Sequence, residues 1–382
     1  MIGVYLHIPF CKSKCGYCDF YSVASQTLMQ PTIRAMLREL EGRKNYFDTF
    51  KKTSPELQRA TLYVGGGTPS LLPPEVLNEL AKKAMQVFGI AVPEEFTVEL
   101  NPDDVTPDYL AQLRGMGVDR ISIGVQSFFD DDLRRMNRRH SAGQAARSVQ
   151  LAQQAGFGNI SIDLIYGLPE MSTERWKSNL EASFSLGVQH LSAYALTVEH
   201  RTPFGVLQRK NRLPLPSDGE VAAQYALLCE LSARSGFAHY EISSFARSGF
   251  TSKHNSAYWQ QQPYVGIGPS AHSYSGLQRQ HNPASNALYL KGMSAGSGCA
   301  EVETLSEADR YNEYIFTGLR TAWGVELGYL RQAFGEELVA HCLANAARHV
   351  AAQRLVQAGG RLTIPEHHWF ISDSIIVDLI WA

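Results

Sequence analysis

Short runs of aliphatic, β-branched and aromatic residues alternate along the chain with stretches in which apolar residues return every three or four positions. The runs are Val4–Ile8, Thr61–Val64, Phe96–Leu100, Arg120–Val125, Ile160–Ile165 and His190–Ala195. They read as strands buried on both faces. Between them, Glu75–Phe88 spaces Val76, Leu77, Leu80, Ala81, Ala84, Met85 and Phe88 as one helical face. Pro107–Gly117 does the same with Leu110, Leu113 and Met116, and Gly117 suits a helix end. Six β-α repeats predict a parallel α/β sheet, because parallel neighbours need a crossover helix. Such a sheet can stay open or curl into a full or partial barrel. Its polar and glycine-rich segments fall at the C-terminal ends of the strands, where both kinds of sheet place their sites and barrels do so consistently.

After about Thr197 the pattern changes. Arg201–Gly219, rich in Pro, Gly and basic residues, reads as irregular, and Val221–Ser235 returns to helix. Phe245–Tyr289 carries few helix signals. From Leu305 onward, helices precede a hairpin predicted over Arg361–Ile364 and Trp369–Ile371, then a closing helix. The expected division is 1–200 as the β-α core, 201–300 as an extension, and 301–382 as a small α+β domain of winged-helix type. No fixed-period repeat or coiled coil is present.

Composition narrows the function classes. At 382 residues and 44% apolar the chain can build a sizeable core, with two or three domains expected. A net charge of −2 gives no electrostatic footprint for general nucleic-acid binding. No stretch approaches the roughly 18–20 apolar residues of a membrane span. Met1–Phe10 lacks the basic start and apolar core of a signal peptide, so a cytoplasmic location is expected. Of six cysteines, Cys11, Cys15 and Cys18 are clustered, whereas Cys229, Cys299 and Cys342 are scattered. A disulfide scaffold would be shorter and cysteine-dense, so the triplet reads as metal or redox chemistry.

Three thiolates at spacings of three and two can wrap one small metal centre. Structural zinc sites want four ligands, often in two separated pairs. A cubane cluster takes four cysteines, so three would leave one iron uncapped and open to a substrate or cofactor. Cys11-Lys-Ser-Lys-Cys15-Gly-Tyr-Cys18 resembles the signature of the radical S-adenosylmethionine (SAM) superfamily, with Tyr17 as its aromatic residue. That resemblance implies a 4Fe-4S cluster on Cys11, Cys15 and Cys18 whose open iron is chelated by SAM. It implies cleavage of SAM to a 5′-deoxyadenosyl radical, and a partial (β/α)6 barrel.

Further segments extend the resemblance. Gly65-Gly66-Gly67-Thr68-Pro69 follows the second run, and Glu99 ends the third. Gln126 ends the fourth, Asn137-Arg138 follows on the next helix, and Asp163 lies in the fifth. By residue type alone, the glycines could be a tight turn and Glu99 a salt-bridge partner. With His7-Ile-Pro-Phe-Cys11, Gly124-Val-Gln-Ser-Phe128 and Asp163-Leu-Ile-Tyr-Gly-Leu-Pro169, they are similar to the HemN/HemW family, which includes oxygen-independent coproporphyrinogen III dehydrogenase. The resemblance implies SAM contacts at Tyr5, Tyr17, Gly66, Gly67, Thr68, Glu99, Gln126, Arg138, Asp163 and, through its Tyr-Ala context, Ala195.

Within that family the chain resembles the heme-chaperone branch. The cluster begins at residue 11, without the dehydrogenase's long preceding segment, and Asp19-Phe20 follows Cys18 where the dehydrogenase has a further cysteine. His254-Asn-Ser-Ala-Tyr-Trp259 matches the branch's His-Asn-x-x-Tyr-Trp motif. An imidazole can ligate heme iron and aromatic rings can pack on a porphyrin; a packed loop with a hydrogen-bonded histidine is the alternative. The implied cofactors are a 4Fe-4S cluster, SAM and heme, with His254 as heme contact. The implied partners are heme-accepting proteins, among them respiratory membrane proteins, and a homodimer is left open. A coproporphyrinogen dehydrogenase is the main rival. Another radical SAM activity and a purely structural iron–sulfur protein follow it.

Overall fold

Six parallel strands carry the predicted runs: β1 (Ile2–Ile8), β2 (Ala60–Gly66), β3 (Glu95–Leu100), β4 (Arg120–Gln126), β5 (Ile160–Tyr166) and β6 (His190–Ala195). They lie side by side in sequence order in a computed structural model that describes residues 1–48, 50, 59–296 and 298–381. The crossovers include the predicted helices at Pro74–Phe88 and Pro107–Gly115. The first begins with Pro74 and ends at Gly89 in the left-handed conformation.

Register gives the sheet two unlike faces. Val4, Leu6, Leu62, Val64, Phe96, Val98, Ile121 and Ile123 form a buried apolar face with helix residues such as Leu77 and Leu80. The alternate positions carry Tyr5, Thr61, Tyr63, Thr97, Arg120, Ser122, Ser161, Asp163 and His190. Both faces are covered, as the composition of the runs predicts, but the concave one is polar. Several of its groups pair within the protein: Ser161 Oγ lies 2.8 Å from His190 Nδ1, and Nε2 of that ring lies 2.8 Å from the Tyr240 hydroxyl.

The sheet wraps partway and does not close. Beyond β6 come the antiparallel strands β7 (Ala238–Glu241) and β8 (Ser244–Ala246). Beyond β1 come the parallel β9 (Tyr264–Ile267), then β10 (His272–Tyr274), β11 (Gln278–His281) and β12 (Glu301–Thr304), which pair antiparallel. Residues of the expected extension therefore lengthen the core's own sheet at both edges. The C-terminal region holds helices Glu307–Gly318 and Leu327–Ala351 and a small sheet of β13 (Val325–Glu326), β14 (Val356–Ala358) and β15 (Arg361–Thr363).

Three local expectations are corrected. Arg201–Gly219 contains a helix, Pro203–Arg209. Thr202 caps it by accepting the Gly205 N–H at 3.1 Å, and Pro203 starts the helix rather than breaking it. The region read as poor in helix holds Lys253–Trp259, capped by the Ser252 hydroxyl. The hairpin pairs Val356–Ala358 with Arg361–Thr363 across Gly359 and Gly360, both at positive φ. A two-residue turn between right-twisted strands demands that backbone. Trp369–Ile371 instead lies in the 3-10 turn Glu366–Ile371, where the Trp369 indole N–H donates to the Ile364 carbonyl at 2.7 Å.

Candidate functional site

The loop after β1 carries Cys11, Cys15 and Cys18, and backbone bonds fix its path. The Cys11 N–H reaches the Val23 carbonyl at 3.0 Å and the Gly16 N–H reaches Met136 at 2.9 Å. The Asn137 side chain donates to the Lys14 carbonyl at 2.8 Å. The glycine run packs directly on this loop. A Cβ on Gly67 would lie 2.6 Å from the Phe10 carbonyl oxygen, and one on Gly66, at φ +109°, would lie 2.7 Å from the His7 ring. Only glycine lets β2 end this close to the cysteine loop.

All three cysteines are free, half-buried and line one cavity of about 610 Å³. The Thr68 hydroxyl approaches Cys11 Sγ at 3.5 Å, and Arg138 Nη1 approaches Cys15 Sγ at 3.5 Å. Arg138 also donates to the Asn101 side chain (2.8 Å) and the Gly124 carbonyl (2.6 Å), and Asn101 donates to Thr68 (3.1 Å). One hydrogen-bonded path thus joins Cys11 to Cys15 around the cavity. The buried Arg138 Nε has no partner. Burial pushes the Cys18 thiol up to about 11; a backbone bond from Phe20 opposes this and the neighbouring Cys15 and Cys11 reinforce it. Three thiolates this close repel unless a cation sits among them. The donor set therefore fits an iron–sulfur cluster. Cys229, Cys299 and Cys342 lie outside the cavity lining, which leaves one iron of a cubane without a cysteine.

The predicted SAM residues fall mostly on the same cavity. Tyr17, Gly66, Gly67, Thr68, Glu99, Gln126, Arg138, Asp163 and Ala195 line it. Glu99 accepts the Tyr63 hydroxyl at 2.7 Å and the Gly66 N–H at 3.0 Å. Burial pushes its carboxyl up to about 7 despite the Tyr63 bond, with Asp163 adding to the rise. Burial likewise raises Asp163 to about 6, against the pull of buried Arg120. Gln126 takes a left-handed backbone, φ 67°, where the β4–β5 register shifts, and this irregularity turns it toward the cavity. Two carboxyl groups held above their ordinary range suit a cationic ligand such as SAM, whose sulfonium and ammonium charges favour their ionised form.

Tyr5 and His254 do not reach this cavity. The Tyr5 hydroxyl lies 3.1 Å from His7 Nδ1, beneath the rim. His254, 1% exposed, sits at the opposite end of the strands. Its Nδ1 lies 2.7 Å from Thr61 Oγ1 and its Nε2 lies 2.8 Å from the Tyr258 hydroxyl. Its ring stacks on Tyr63, and its backbone N–H donates to Glu95 at 3.0 Å. Burial holds it neutral, with its pKa lowered to about 3. Both ring nitrogens are engaged. At about 3.3 Å per residue, Thr61 and Gly66 stand roughly 16 Å apart along β2.

The other end of the His254 helix meets a second cavity, of about 770 Å³. Trp259, Tyr274, Tyr314, Trp323, Arg310 and Arg361 are among its walls. His272 stacks on His281, ring centroids 5.5 Å apart, and lines neither cavity. Sequence reasoning missed Asn101, Ser122, Tyr194 and Glu199 on the first cavity. Asn101 and Tyr194 stand within two residues of Glu99 and Ala195 at strand ends, and that position was the available signal.

Known proteins resemble this chain in sequence and in fold. Residues 5–182 match the radical SAM superfamily and residues 305–371 match the HemN C-terminal domain. The heme chaperone HemW of Lactococcus lactis is 39% identical over 323 residues, covering 85% of this chain and 82% of that protein. The heme chaperone HemW of Bacillus subtilis is 35% identical, with 88% of each chain covered, and that of Mycobacterium tuberculosis is 36% identical, covering 94% and 92%. Among solved structures, coproporphyrinogen III oxidase (HemN) from Escherichia coli superposes with a TM-score of 0.84 at 20% identity. That match covers 99% of this chain and 90% of HemN and shows a shared fold. No helix among the described residues is long and apolar enough to cross a membrane.

Proposed function

This chain belongs to the HemW family of radical SAM proteins, and from that premise we propose that it is a heme chaperone. Cys11, Cys15 and Cys18 hold a 4Fe-4S cluster. Gly66, Gly67, Thr68, Glu99, Gln126, Asp163 and Ala195 receive SAM on the adjoining rim. The observation that carries this reading is the convergence of three free thiols, two of them met by side-chain donors, on the cavity that Glu99 and Asp163 also line. When bound, the cluster supplies an electron to SAM. The chain's own part is to hold both ligands: Arg138 offsets thiolate charge, and the two carboxylates face the cationic cofactor.

For heme, the favoured surface is the second cavity. Trp259 and Trp323 offer flat apolar faces, and Arg310 and Arg361 offer cations for propionates. His254 then positions the helix that ends in Trp259. Ligation by His254 itself requires one of its two ring bonds, to Thr61 or to Tyr258, to break and the buried ring to be uncovered. Handover to an acceptor protein, a respiratory membrane protein among the candidates, needs a change in heme affinity on docking.

An anaerobic heme titration of cluster-loaded protein, followed by the Soret band, tests this. One-to-one saturable binding is expected, weakened about tenfold in Trp259→Ala, the loss of roughly one good aromatic contact. Recovery of the wild-type heme spectrum in His254→Ala on adding free imidazole would make His254 a ligand, whereas a change that imidazole does not reverse fits its positioning role. Absence of specific binding by the wild type, with turnover of coproporphyrinogen III, would replace the chaperone reading with the dehydrogenase.

A further inference from the structure

Away from both cavities, three different metal-ligating side chains meet at one point. Cys229 comes from helix Asp218–Arg234, His239 from β7, and Glu366 from the 3-10 turn of the C-terminal region. Cys229 Sγ lies 3.9 Å from His239 Nδ1, Glu366 Oε1 lies 3.0 Å from the same nitrogen, and all three atoms fall within 4.8 Å of one another. A proton relay has a different geometry: its nucleophile and its orienting carboxylate use opposite ring nitrogens. Here both address Nδ1. The other nitrogen, Nε2, faces the Ile242 carbonyl at 3.4 Å. A backbone carbonyl behind the ring is the usual partner of a metal-bound histidine, since it fixes the tautomer that frees the ligating nitrogen. The ring is also clamped, stacked 4.0 Å from Phe245 and edge-on to Trp369 at 4.3 Å.

We propose that Cys229, His239 and Glu366 form a zinc site that fastens the C-terminal region to the β7 edge of the sheet. Thiolate, imidazole and carboxylate together suit zinc rather than calcium or magnesium, which prefer all-oxygen shells. Tetrahedral zinc places such ligand atoms about 3.3–3.6 Å apart, so closure needs shifts of roughly 1 Å or less. Cys229 binds as thiolate and gives its proton to solvent, with no change of oxidation state. The Glu366 side chain is half exposed, so water completes the fourth position. The neighbouring backbone already joins the two parts: the Ala322 N–H donates to Tyr240 and the Ile242 N–H to Arg320, each at 3.0 Å. A bound ion adds a bond that the unfolded chain lacks, and so stabilises this junction.

The test uses anaerobic, cluster-loaded protein, in which Cys11, Cys15 and Cys18 are occupied and cannot take zinc. After exposure to zinc and desalting, elemental analysis should find one zinc per chain in the wild type. Cys229→Ser and Glu366→Gln should lose it while iron content stays constant. Zinc should raise the melting temperature of the wild type and leave that of both variants unmoved. Glu366 is exposed enough that its glutamine variant should fold normally, so its loss of zinc would not reflect unfolding. Failure of the wild type to retain zinc, or equal retention by the variants, would overturn the site.

Discussion

The two ends of the same polar strand face behave differently. At the C-terminal rim, Cys11, Cys15, Glu99, Asp163 and Arg138 point into a cavity and are only partly satisfied by one another. At the N-terminal floor, His254, Thr61, Tyr258 and Glu95 close a network in which both imidazole nitrogens have partners. Burial alone does not separate the two sets, and neither does residue type. What differs is where the unused hydrogen-bonding and charge capacity lies. At the rim it is aimed at a space large enough for a cofactor; around His254 at the floor it is consumed within the protein. A buried polar group with its partners already present is best explained by structure.

Substitutions and titrations at the two ends would break or sharpen that contrast. The largest effect is expected from Cys15→Ala, which should abolish the cluster: iron per chain and visible absorbance after anaerobic reconstitution should fall to background. A cluster retained by this variant would dissolve the distinction. Next, His254→Ala should lower unfolding free energy by about 2–4 kcal/mol in denaturant titrations, because it opens a void and orphans the Thr61 and Tyr258 hydroxyls. Its iron loading should remain close to wild type. Arg138→Ala should weaken SAM binding by about 10–100-fold by calorimetry. Arg138→Lys should recover only part of this, since one ammonium cannot span Cys15, Asn101 and Gly124 together.

The smallest effects are those of pH, and they run in distinct windows. Glu99 holds its proton below about 7 and Asp163 below about 6. SAM affinity should therefore rise with pH up to about 7 and then level off, by at most about tenfold per unit for each carboxyl still protonated. Glu99→Gln should flatten the upper part of that rise. At the floor, His254 is depressed from 6.5 to about 3, so the unfolded chain takes up its proton first. Its contribution to stability is complete above about 6.5 and is lost as pH falls toward 3, by up to about 1.4 kcal/mol per unit. A shallower acid slope in His254→Gln, read by melting across that range, would check the sign.

Sequence by itself determined a good deal here. Six apolar runs separated by helical periods prescribe parallel strands, because each feature is local and repeats the same physical solution. Cys11, Cys15 and Cys18 lie within one loop, so their meeting needs only a tight turn. The glycine run at the end of β2 likewise signals a close approach by its lack of side chains. Long-range placement was not legible in the same way. Whether His254 faces a ligand or Thr61 depends on the packing of its helix under β2, 193 residues away in sequence. Tertiary structure alone decided that Tyr5 stops beneath the rim, that Asn101 bridges Thr68 and Arg138, and that Cys229, His239 and Glu366 converge. The physical reason is common to all of them. Hydrophobic period fixes which face of an element is buried, but the partner a polar group finds there is set by elements distant in the chain.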